Sequence, residues 1–397
     1  SGFGSASEPY FSILKALSKA KSGDTVYIDA GIYSEAVVID THNISLIGAD
    51  SSLTVIDPPG DSSTAGLYGI YVNNYDYLTI KNLCVRDANR GLYLGYTDTS
   101  LIENITVKDC SNHGLYLTYS CSNLITQSSF IHNYSGLFFK TSSSYNYLNG
   151  CSFDSNSLAG IYMENDIYFN AVVSCVARWN FYGLYASTLV SNNYFISNIF
   201  SENNDKGAFI YFSSNNNEFT RNIFEKNLDS GLYLRQLTGT KIFENIFSSN
   251  SGSGLYLYQV TTGRLYQNTL INNNNYAVSN YFFSSDIVFQ KNNIKTPDSN
   301  PDSGIYNEVN SSFNFNYNYW YSTDSSSINS KINGPNKNQI SYYPFRTSEI
   351  DTYQGADTIA PITPSIILLD TSTLSQINVV WSKPSTDEDG SALTGLS

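Results

Sequence analysis

A short phrase of glycine, aliphatic, aromatic and aliphatic residues returns every 22 to 24 residues along most of this 397-residue chain. The phrase begins at nine glycines: Gly69, Gly91, Gly114, Gly136, Gly160, Gly183, Gly207, Gly231 and Gly254. A fixed period in this range is typical of solenoid proteins, in which each repeat stacks on the next. The period therefore constrains the fold more strongly than any single motif does.

Two further columns of residues keep the same period. One is made of asparagines: Asn133, Asn156, Asn180, Asn203, Asn227, Asn250 and Asn273. The other mixes small and polar residues: Ser128, Cys151, Cys175, Asn198, Asn222, Asn245 and Asn268. Apolar residues, many of them Phe, lie two positions after the sites of the second column and three before the asparagines of the first. A spacing of two within a short segment is the periodicity of β-strands.

The segments between the marked positions are too short to form a helix, and Asn, Ser and Gly interrupt them. The repeat therefore predicts an all-β, single-stranded parallel β-helix with one coil per period. We expect the asparagines to be structural, because stacked amides can bond to one another and to the backbone at each corner. We expect the Phe residues to fill a narrow, dry interior.

The N-terminal segment, residues 1–24, differs from the repeats. Between Pro9 and Ala20, apolar residues recur at helical spacing, and Gly23 and Asp24 end the pattern. We predict an amphipathic helix that caps the open end of the solenoid, where apolar core and strand edges would otherwise be exposed. The β-helix is predicted over residues 25–346.

The stretch from Ser12 to Ile56, followed by Asn-x-Phe and Gly-Leu-Tyr repeats, resembles right-handed parallel β-helix proteins of the pectin-lyase-like superfamily, with NosD-type (CASH) repeats. The segment from Asn318 to Phe345 is similar to their closing segment. The resemblance implies a right-handed coil. It leaves activity open, because the superfamily contains lyases, hydrolases, esterases, epimerases, adhesins and non-catalytic surface proteins.

The C-terminal part has a different composition. Residues 347–364 are interpreted as a linker, and residues 365–397, with Trp381, resemble the first two strands of a fibronectin type III domain. Such a domain needs roughly 90–100 residues. We expect either that the chain is a fragment of a longer protein or that these strands pair with a neighbouring molecule.

Composition excludes some classes of function. The net charge of −13 argues against nucleic acid and anionic membranes as partners, and no apolar run is long enough to span a bilayer. The abundance of Tyr, Asn and Ser and the start at Ser1 rather than Met favour a secreted or cell-surface protein. The five cysteines form no disulfide framework or metal-ligand spacing. Cys151 and Cys175 take the same position on neighbouring coils, within the range of a disulfide, but free, buried thiols are favoured over a bridge.

The motifs of polygalacturonases, pectate lyases, pectin methylesterases and C-5 epimerases are absent, and His113 and His132 are interpreted as turn residues. The candidate catalytic cluster is Lys140 and Glu164 on adjacent coils, with Asp166 following. It is consistent with a lysine base of a β-elimination lyase or with a surface ion pair. No cofactor is expected, and no acidic loop has enough oxygens to indicate calcium.

The aromatic residue of the repeated phrase is predicted to face outward, because the aliphatic residues on either side face in. Stacking of the coils would then align these aromatic residues in an exposed stripe of nine: Tyr71, Tyr93, Tyr116, Phe138, Tyr162, Tyr185, Phe209, Tyr233 and Tyr256. Three roles fit such a stripe: stacking on sugar rings, packing against another subunit, or stabilising the strands through contacts on one face.

These features favour an extracellular, non-catalytic surface or fibre-forming protein that uses the stripe for self-association or glycan contact. The alternative is a polysaccharide-active enzyme or a glycan-binding adhesin.

Overall fold

The computed structural model describes residues 4–349 and, beyond them, the strands Ile366–Asp370 and Asn378–Trp381. Residues up to 350 form one compact unit and the residues from Asp351 onward form a second. The first unit is a parallel β-solenoid in which most coils contribute a short strand to each of three sheets. The predicted all-β parallel β-helix is therefore confirmed.

Sheet 1 contains one strand from each of fourteen coils. Its strands are Thr25–Ile28, Ser45–Gly48, Thr79–Lys81, Leu101–Glu103, Leu124–Thr126, Tyr147–Asn149, Ala171–Val173, Tyr194–Ile196, Glu218–Thr220, Lys241–Phe243, Arg264–Tyr266, Val288–Gln290, Phe313–Asn314 and Ile340–Ser341.

Sheet 2 has two blocks, which single bridges through Ser152 connect. The first block consists of Gly31–Tyr33, Thr54–Ile56, Cys84–Arg86, Thr106–Lys108 and Ser129–Ile131. The second consists of Val176–Arg178, Ile199–Ser201, Ile223–Glu225, Ile246–Ser248, Thr269–Ile271 and Asn293–Lys295.

Sheet 3 carries the repeated glycine–aromatic phrase and has the longest strands. They are Val37–Ile39, Tyr68–Asn73, Arg90–Gly95, His113–Thr118, Ser135–Lys140, Ala159–Glu164, Tyr182–Ser187, Ala208–Tyr211, Leu232–Thr238, Leu255–Thr261, Val278–Tyr281, Ile305–Asn307 and Ile332–Asn333. A small additional pair, Ile167–Tyr168 with Val190–Ser191, lies in the turn after sheet 3.

The interior is apolar and almost completely buried, because alternate residues of each short strand point inward. Phenylalanines stack along the axis, with ring centroids 5.2 Å apart for Phe200 and Phe224 and 5.0 Å apart for Phe224 and Phe247. This arrangement confirms the dry aromatic interior predicted from the repeat.

Each of the three corners of the coil contains a ladder of buried asparagines. The two ladders predicted from the sequence lie between sheets 1 and 2 and between sheets 2 and 3. A third, which sequence reasoning missed, lies between sheets 3 and 1 and consists of Asn123, Asn146, Asn170, Asn193 and Asn217. In all three, an amide oxygen accepts bonds from the asparagine of the preceding coil, so the ladders are structural.

The N-terminal end of the solenoid is covered by helix α1, Ile13–Leu17, which buries Ile13 and Leu17. The Ser12 hydroxyl accepts a bond from the Lys15 N–H, and the Glu35 carboxylate accepts bonds from the first turn. The helix is shorter than the periodic segment Pro9–Ala20, because it begins after the extended N-cap Ser12 and ends at the C-cap Ser18.

The other end carries helix α2, Ser325–Ser330, and a 3-10 helix, Lys337–Gln339, beside the fully buried Trp320. In the second unit, Ile366–Asp370 pairs antiparallel with Asn378–Trp381. The remainder of the predicted fibronectin type III-like segment lies outside the described residues.

Candidate functional site

The outer face of sheet 3 carries a continuous column of aromatic rings. Strand pairing places the nine residues of the predicted stripe opposite one another on successive coils. Neighbouring ring centroids lie between 4.4 and 5.6 Å apart, and most neighbouring rings are stacked or tilted. We call these residues (Tyr71, Tyr93, Tyr116, Phe138, Tyr162, Tyr185, Phe209, Tyr233 and Tyr256) the aromatic column.

The column is half-buried rather than exposed, which corrects the prediction of an exposed stripe. Phe138 is only 6% exposed, and the other eight residues are of intermediate exposure. The reason is that each ring covers the face of the next, while side chains of neighbouring columns such as Tyr68, Tyr182 and Lys206 cover the flanks. What the column presents to solvent is therefore its ring edges, which carry the tyrosine hydroxyls.

Burial raises the pKa of most of the column tyrosines. Burial, followed by the charges of Glu164 and Tyr185, raises the pKa of Tyr162 to about 12. Burial is also the first cause of the raised pKa values of Tyr93, Tyr116 and Tyr233. A protonated tyrosine hydroxyl can both donate and accept a hydrogen bond, so the seven tyrosines of the column are bifunctional polar groups, while Phe138 and Phe209 interrupt the row.

The predicted catalytic residues are only partly brought together. Lys140 and Glu164 lie opposite each other on adjacent strands of sheet 3 and form an ion pair. Asp166 lies in the following turn, where its carboxylate accepts a hydrogen bond from the Tyr168 hydroxyl at 3.1 Å. Lys140 and Glu164 therefore form the surface ion pair, which was the alternative to a lysine base, because the carboxylate of Glu164 already binds the ammonium group.

The two histidines that were interpreted as turn residues differ. His132 lies in a turn with φ of 56°, as predicted. His113, in contrast, begins a strand of sheet 3 and is 6% exposed, and its ring lies 4.6 Å from that of Phe138. The prediction was wrong for His113 because the strand already begins at this residue, before the repeated glycine. The neighbouring Gly114 has no room for a side chain, since a Cβ there would lie 2.6 Å from the Gly136 carbonyl oxygen.

A second apolar feature follows the turn between sheets 3 and 1. We call it the turn ridge: its residues are all more than 40% exposed, namely Tyr77, Tyr96, Tyr119, Tyr145, Phe169, Leu189, Phe212, Phe282 and Phe283. All nine have positive φ, a backbone region that bulky residues rarely adopt. Sequence reasoning missed this ridge because its residues have no constant spacing from the repeated glycine.

All five cysteines have free thiols, and Cys151 and Cys175 are buried in the ladder between sheets 1 and 2, as predicted. Among the residues that the structure describes, no three His, Cys, Asp or Glu side chains gather in a way that could hold a metal ion. In the same part of the chain, no helix has the length and apolar character needed to cross a membrane.

The comparisons with known proteins agree with the architecture. The sequence profile of the family described as "Right handed beta helix region" matches residues 37–168, 68–235 and 163–294. No curated protein matches the sequence significantly.

Solved structures are similar in fold at low sequence identity. The A-module of the Azotobacter vinelandii mannuronan C-5 epimerase AlgE6 is 16% identical, with a TM-score of 0.63, over 85% of this chain and 94% of that chain. The periplasmic alginate epimerase AlgG is 13% identical, with a TM-score of 0.55, over 82% and 84%. PfbA, a surface adhesin of Streptococcus pneumoniae, is 11% identical, with a TM-score of 0.52, over 76% and 86%. At these identities the likeness establishes the fold alone.

Proposed function

This chain belongs to the right-handed β-helix family, and we propose that it is a non-catalytic extracellular protein that binds an extended glycan along the outer face of sheet 3. The observation that carries the proposal is the aromatic column, which presents tyrosine hydroxyls on seven of its nine coils, all except those of Phe138 and Phe209. With coils about 4.8 Å apart, the column from Tyr71 to Tyr256 extends over about 38 Å. A polysaccharide is a chain of regularly spaced hydroxyl groups, and such a row of donors and acceptors suits it.

The mode of contact differs from simple stacking on sugar rings. Because the rings of the column cover one another, only their edges are available, and hydrogen bonding is the expected contribution there. Ring faces are more accessible on the turn ridge, where Tyr96 stacks on Tyr119 and Tyr145 stacks on Phe169 in separate pairs. We propose that the hydroxyls of the column and the rings of the ridge contact the same chain of sugars.

The ion pairs of the two lysines on this face favour a binding role over catalysis. Lys140 is neutralised by Glu164, and Lys206 lies 2.8 Å from Asp205 and 2.6 Å from Asp229. A general base must be free to take a proton from its substrate, and a lysine held by a carboxylate remains protonated. The candidate cluster of Lys140, Glu164 and Asp166 is therefore proposed to stabilise the face rather than to react.

The alternative of a polysaccharide-active enzyme is motivated by the two epimerases of similar fold. The adhesin of similar fold fits the binding role equally well. The names of periplasmic and surface proteins among these structures support the proposed extracellular location. The finer likeness to NosD-type repeats and to a fibronectin type III domain stays a proposal from the sequence.

The test is polysaccharide binding by the intact chain, measured on a glycan microarray and then by titration calorimetry. The double variant Tyr162→Phe/Tyr185→Phe removes two hydroxyls and keeps both rings. At about 1 kcal/mol for each hydrogen bond, we expect the affinity to fall roughly 30-fold. Tyr194→Phe, which removes a hydroxyl from the outer face of sheet 1, is the matched control and should bind normally. Equal affinity of all three proteins would contradict the proposal.

Self-association is a second candidate function, and the turn ridge favours it. Nine bulky apolar residues occupy left-handed backbone positions that Gly and Asn adopt more readily, and they remain exposed. Exposed apolar surfaces of this kind commonly mark contacts between proteins. Negative-stain microscopy and size-exclusion chromatography should show rods associated side by side. The variant Tyr145→Ser/Phe169→Ser should separate them, and monodisperse wild-type rods would exclude this role.

A further inference from the structure

Four asparagines of this chain occur in the three-residue pattern Asn-x-Ser/Thr, in which x is not proline: Asn43, Asn104, Asn133 and Asn310. This pattern, the sequon, is the acceptor for N-linked glycosylation of secreted proteins. Every other asparagine of this asparagine-rich chain lacks Ser or Thr two positions later. The structure divides the four sequons, because three lie in exposed turns and one lies inside a ladder.

The three exposed sequons lie at corners of the coil. Asn104 lies in the turn between sheets 1 and 2, whereas Asn43 and Asn310 lie in turns between sheets 3 and 1. All three asparagines are exposed. The hydroxyl residues of the same sequons are also partly or fully exposed, namely Ser45, Thr106 and Ser312. Both residues that define each of these sequons therefore reach the outer surface.

The amide groups of the exposed asparagines can accept a sugar without losing their contacts. N-glycosylation replaces one of the two hydrogens on Nδ2 and leaves the amide oxygen and the other hydrogen in place. Asn104 Nδ2 donates to Asn82 Oδ1 at 2.9 Å, and Asn310 Oδ1 accepts from Gln339 Nε2 at 3.2 Å. Asn43 is held by its backbone, whose N–H donates to the Asp76 carbonyl at 2.8 Å.

Asn133 is an internal control, because it has the same sequence pattern in a closed environment. It is 2% exposed, in the ladder between sheets 2 and 3. Its Nδ2 donates to the Val107 carbonyl at 3.2 Å and to Asn156 Oδ1 at 3.3 Å. A sugar on this nitrogen would break one of these bonds and would be enclosed by the neighbouring coils. A chain modified at Asn133 could therefore not form this part of the solenoid.

We propose that Asn43, Asn104 and Asn310 carry N-linked glycans in the folded protein and that Asn133 does not. The donor is an oligosaccharide whose anomeric carbon is joined to a lipid phosphate or pyrophosphate. The Nδ2–C1 bond forms as the C1–O bond to the phosphate breaks, the lipid phosphate leaves, and Nδ2 loses one proton. The inference rests on the proposed extracellular location and is independent of glycan binding by sheet 3.

The three attachment points leave the outer face of sheet 3 free and lie on both sides of the turn ridge. Asn43 precedes Tyr77 by one coil, and Asn310 lies in the coil after Phe283. A contact between two rods along the turn ridge would therefore have to fit between the glycans of Asn43 and Asn310.

The test is mass spectrometry of tryptic peptides from the full-length protein, isolated in its folded form from its native source. Cleavage after Lys and Arg places each sequon in a separate peptide, namely residues 22–81, 91–108, 109–140 and 296–331. Fragmentation by electron transfer should locate sugar masses on Asn43, Asn104 and Asn310, and none on Asn133. Bare asparagines in all three expected peptides, or a sugar on Asn133, would overturn the assignment.

Variants produced in the same host decide whether the sequon directs the modification. Asn104→Gln and Thr106→Ala should each remove the whole glycan mass from peptide 91–108, and Thr106→Ser should keep it, because serine preserves the pattern. Circular dichroism identical to that of the wild type shows that each variant is folded. A sugar that persists in Asn104→Gln is bound to a hydroxyl group instead, and this result would overturn the assignment at Asn104.

The outcome is separable from that of the proposed function. If the three asparagines are bare while polysaccharide binding depends on the Tyr162 and Tyr185 hydroxyls, the binding face stands and the glycosylation is wrong. If the three asparagines carry sugars and the intact chain binds no polysaccharide, the glycosylation stands and the proposed binding is wrong.

Discussion

The asparagine ladders allow a quantitative prediction, and Asn222 is the most informative position. Its amide Nδ2 donates to the Phe195 carbonyl at 2.8 Å and to Asn245 Oδ1 at 3.0 Å. Its Oδ1 accepts from the backbone N–H of Asn198 at 2.9 Å and from the Asn198 amide at 3.0 Å. Asn222 is fully buried and lies in the middle of the ladder between sheets 1 and 2.

Asn222→Ala removes all four hydrogen bonds of the side chain and leaves the Asn198 N–H buried without its acceptor. A typical hydrogen bond contributes about 0.5–1.5 kcal/mol net, and an orphaned buried group costs about 1–3 kcal/mol. Because all four bonds share the single amide of Asn222 and are not independent, we expect the free energy of unfolding to fall by about 3–5 kcal/mol.

Asn222→Ser is the matched variant, because serine occupies the same ladder at Ser128. There the hydroxyl accepts from the Ile105 N–H at 3.2 Å and donates to the Thr126 carbonyl at 2.8 Å. A serine at 222 can keep the Asn198 N–H bonded, so the expected loss is about 1–2 kcal/mol.

The measurement is equilibrium unfolding in urea, followed by circular dichroism, for the wild type and both variants. The order of stability should be wild type, serine, alanine. A loss below about 1 kcal/mol for alanine, or equal losses for the two variants, would show that the ladder bonds do not support the coil as inferred.

Three further predictions concern charge and pH. Lys140→Met should lower the free energy of unfolding in urea by at most about 1 kcal/mol, because a partly exposed ion pair contributes little; a larger loss would give the pair another role. The raised pKa values of the column tyrosines mean that stability is retained below pH 10, the ordinary tyrosine value, and is lost as the pH rises through the folded values. Absorbance at 295 nm should therefore show late ionisation in the native protein, and ordinary titration of all tyrosines would refute this. The lowered pKa of His113 means that stability is complete above pH 6.5 and falls as the pH decreases toward 3. His113→Gln should flatten the acid side of the stability profile, and an unchanged profile would contradict the burial of a neutral ring.

The sequence was sufficient to predict the fold because each sequence repeat corresponds to one coil of the solenoid. Glycine at Gly114, Phe at the inward positions and Asn at two corners recur with the period at which the chain returns to the same sheet. The third ladder, from Asn123 to Asn217, has the same signal, and spacing alone could have revealed it.

The site was harder to predict, because solvent exposure depends on neighbours in other coils. Period-two alternation correctly placed Tyr116 on the outer face, yet it could not show that adjacent rings would cover it. His113 was interpreted as a turn residue because it lies next to a repeated glycine, yet the strand of sheet 3 already begins there.

The central proposal is that a glycan lies on sheet 3, and hydroxyl-radical footprinting with the best-binding polysaccharide tests it most directly. Tyr162, Tyr185 and Tyr233 should become protected from oxidation when the polysaccharide is bound. Tyr194 and Tyr266, on the outer face of sheet 1, should remain as reactive as in the free protein. Protection on sheet 1 with none on sheet 3 would contradict the proposed binding face.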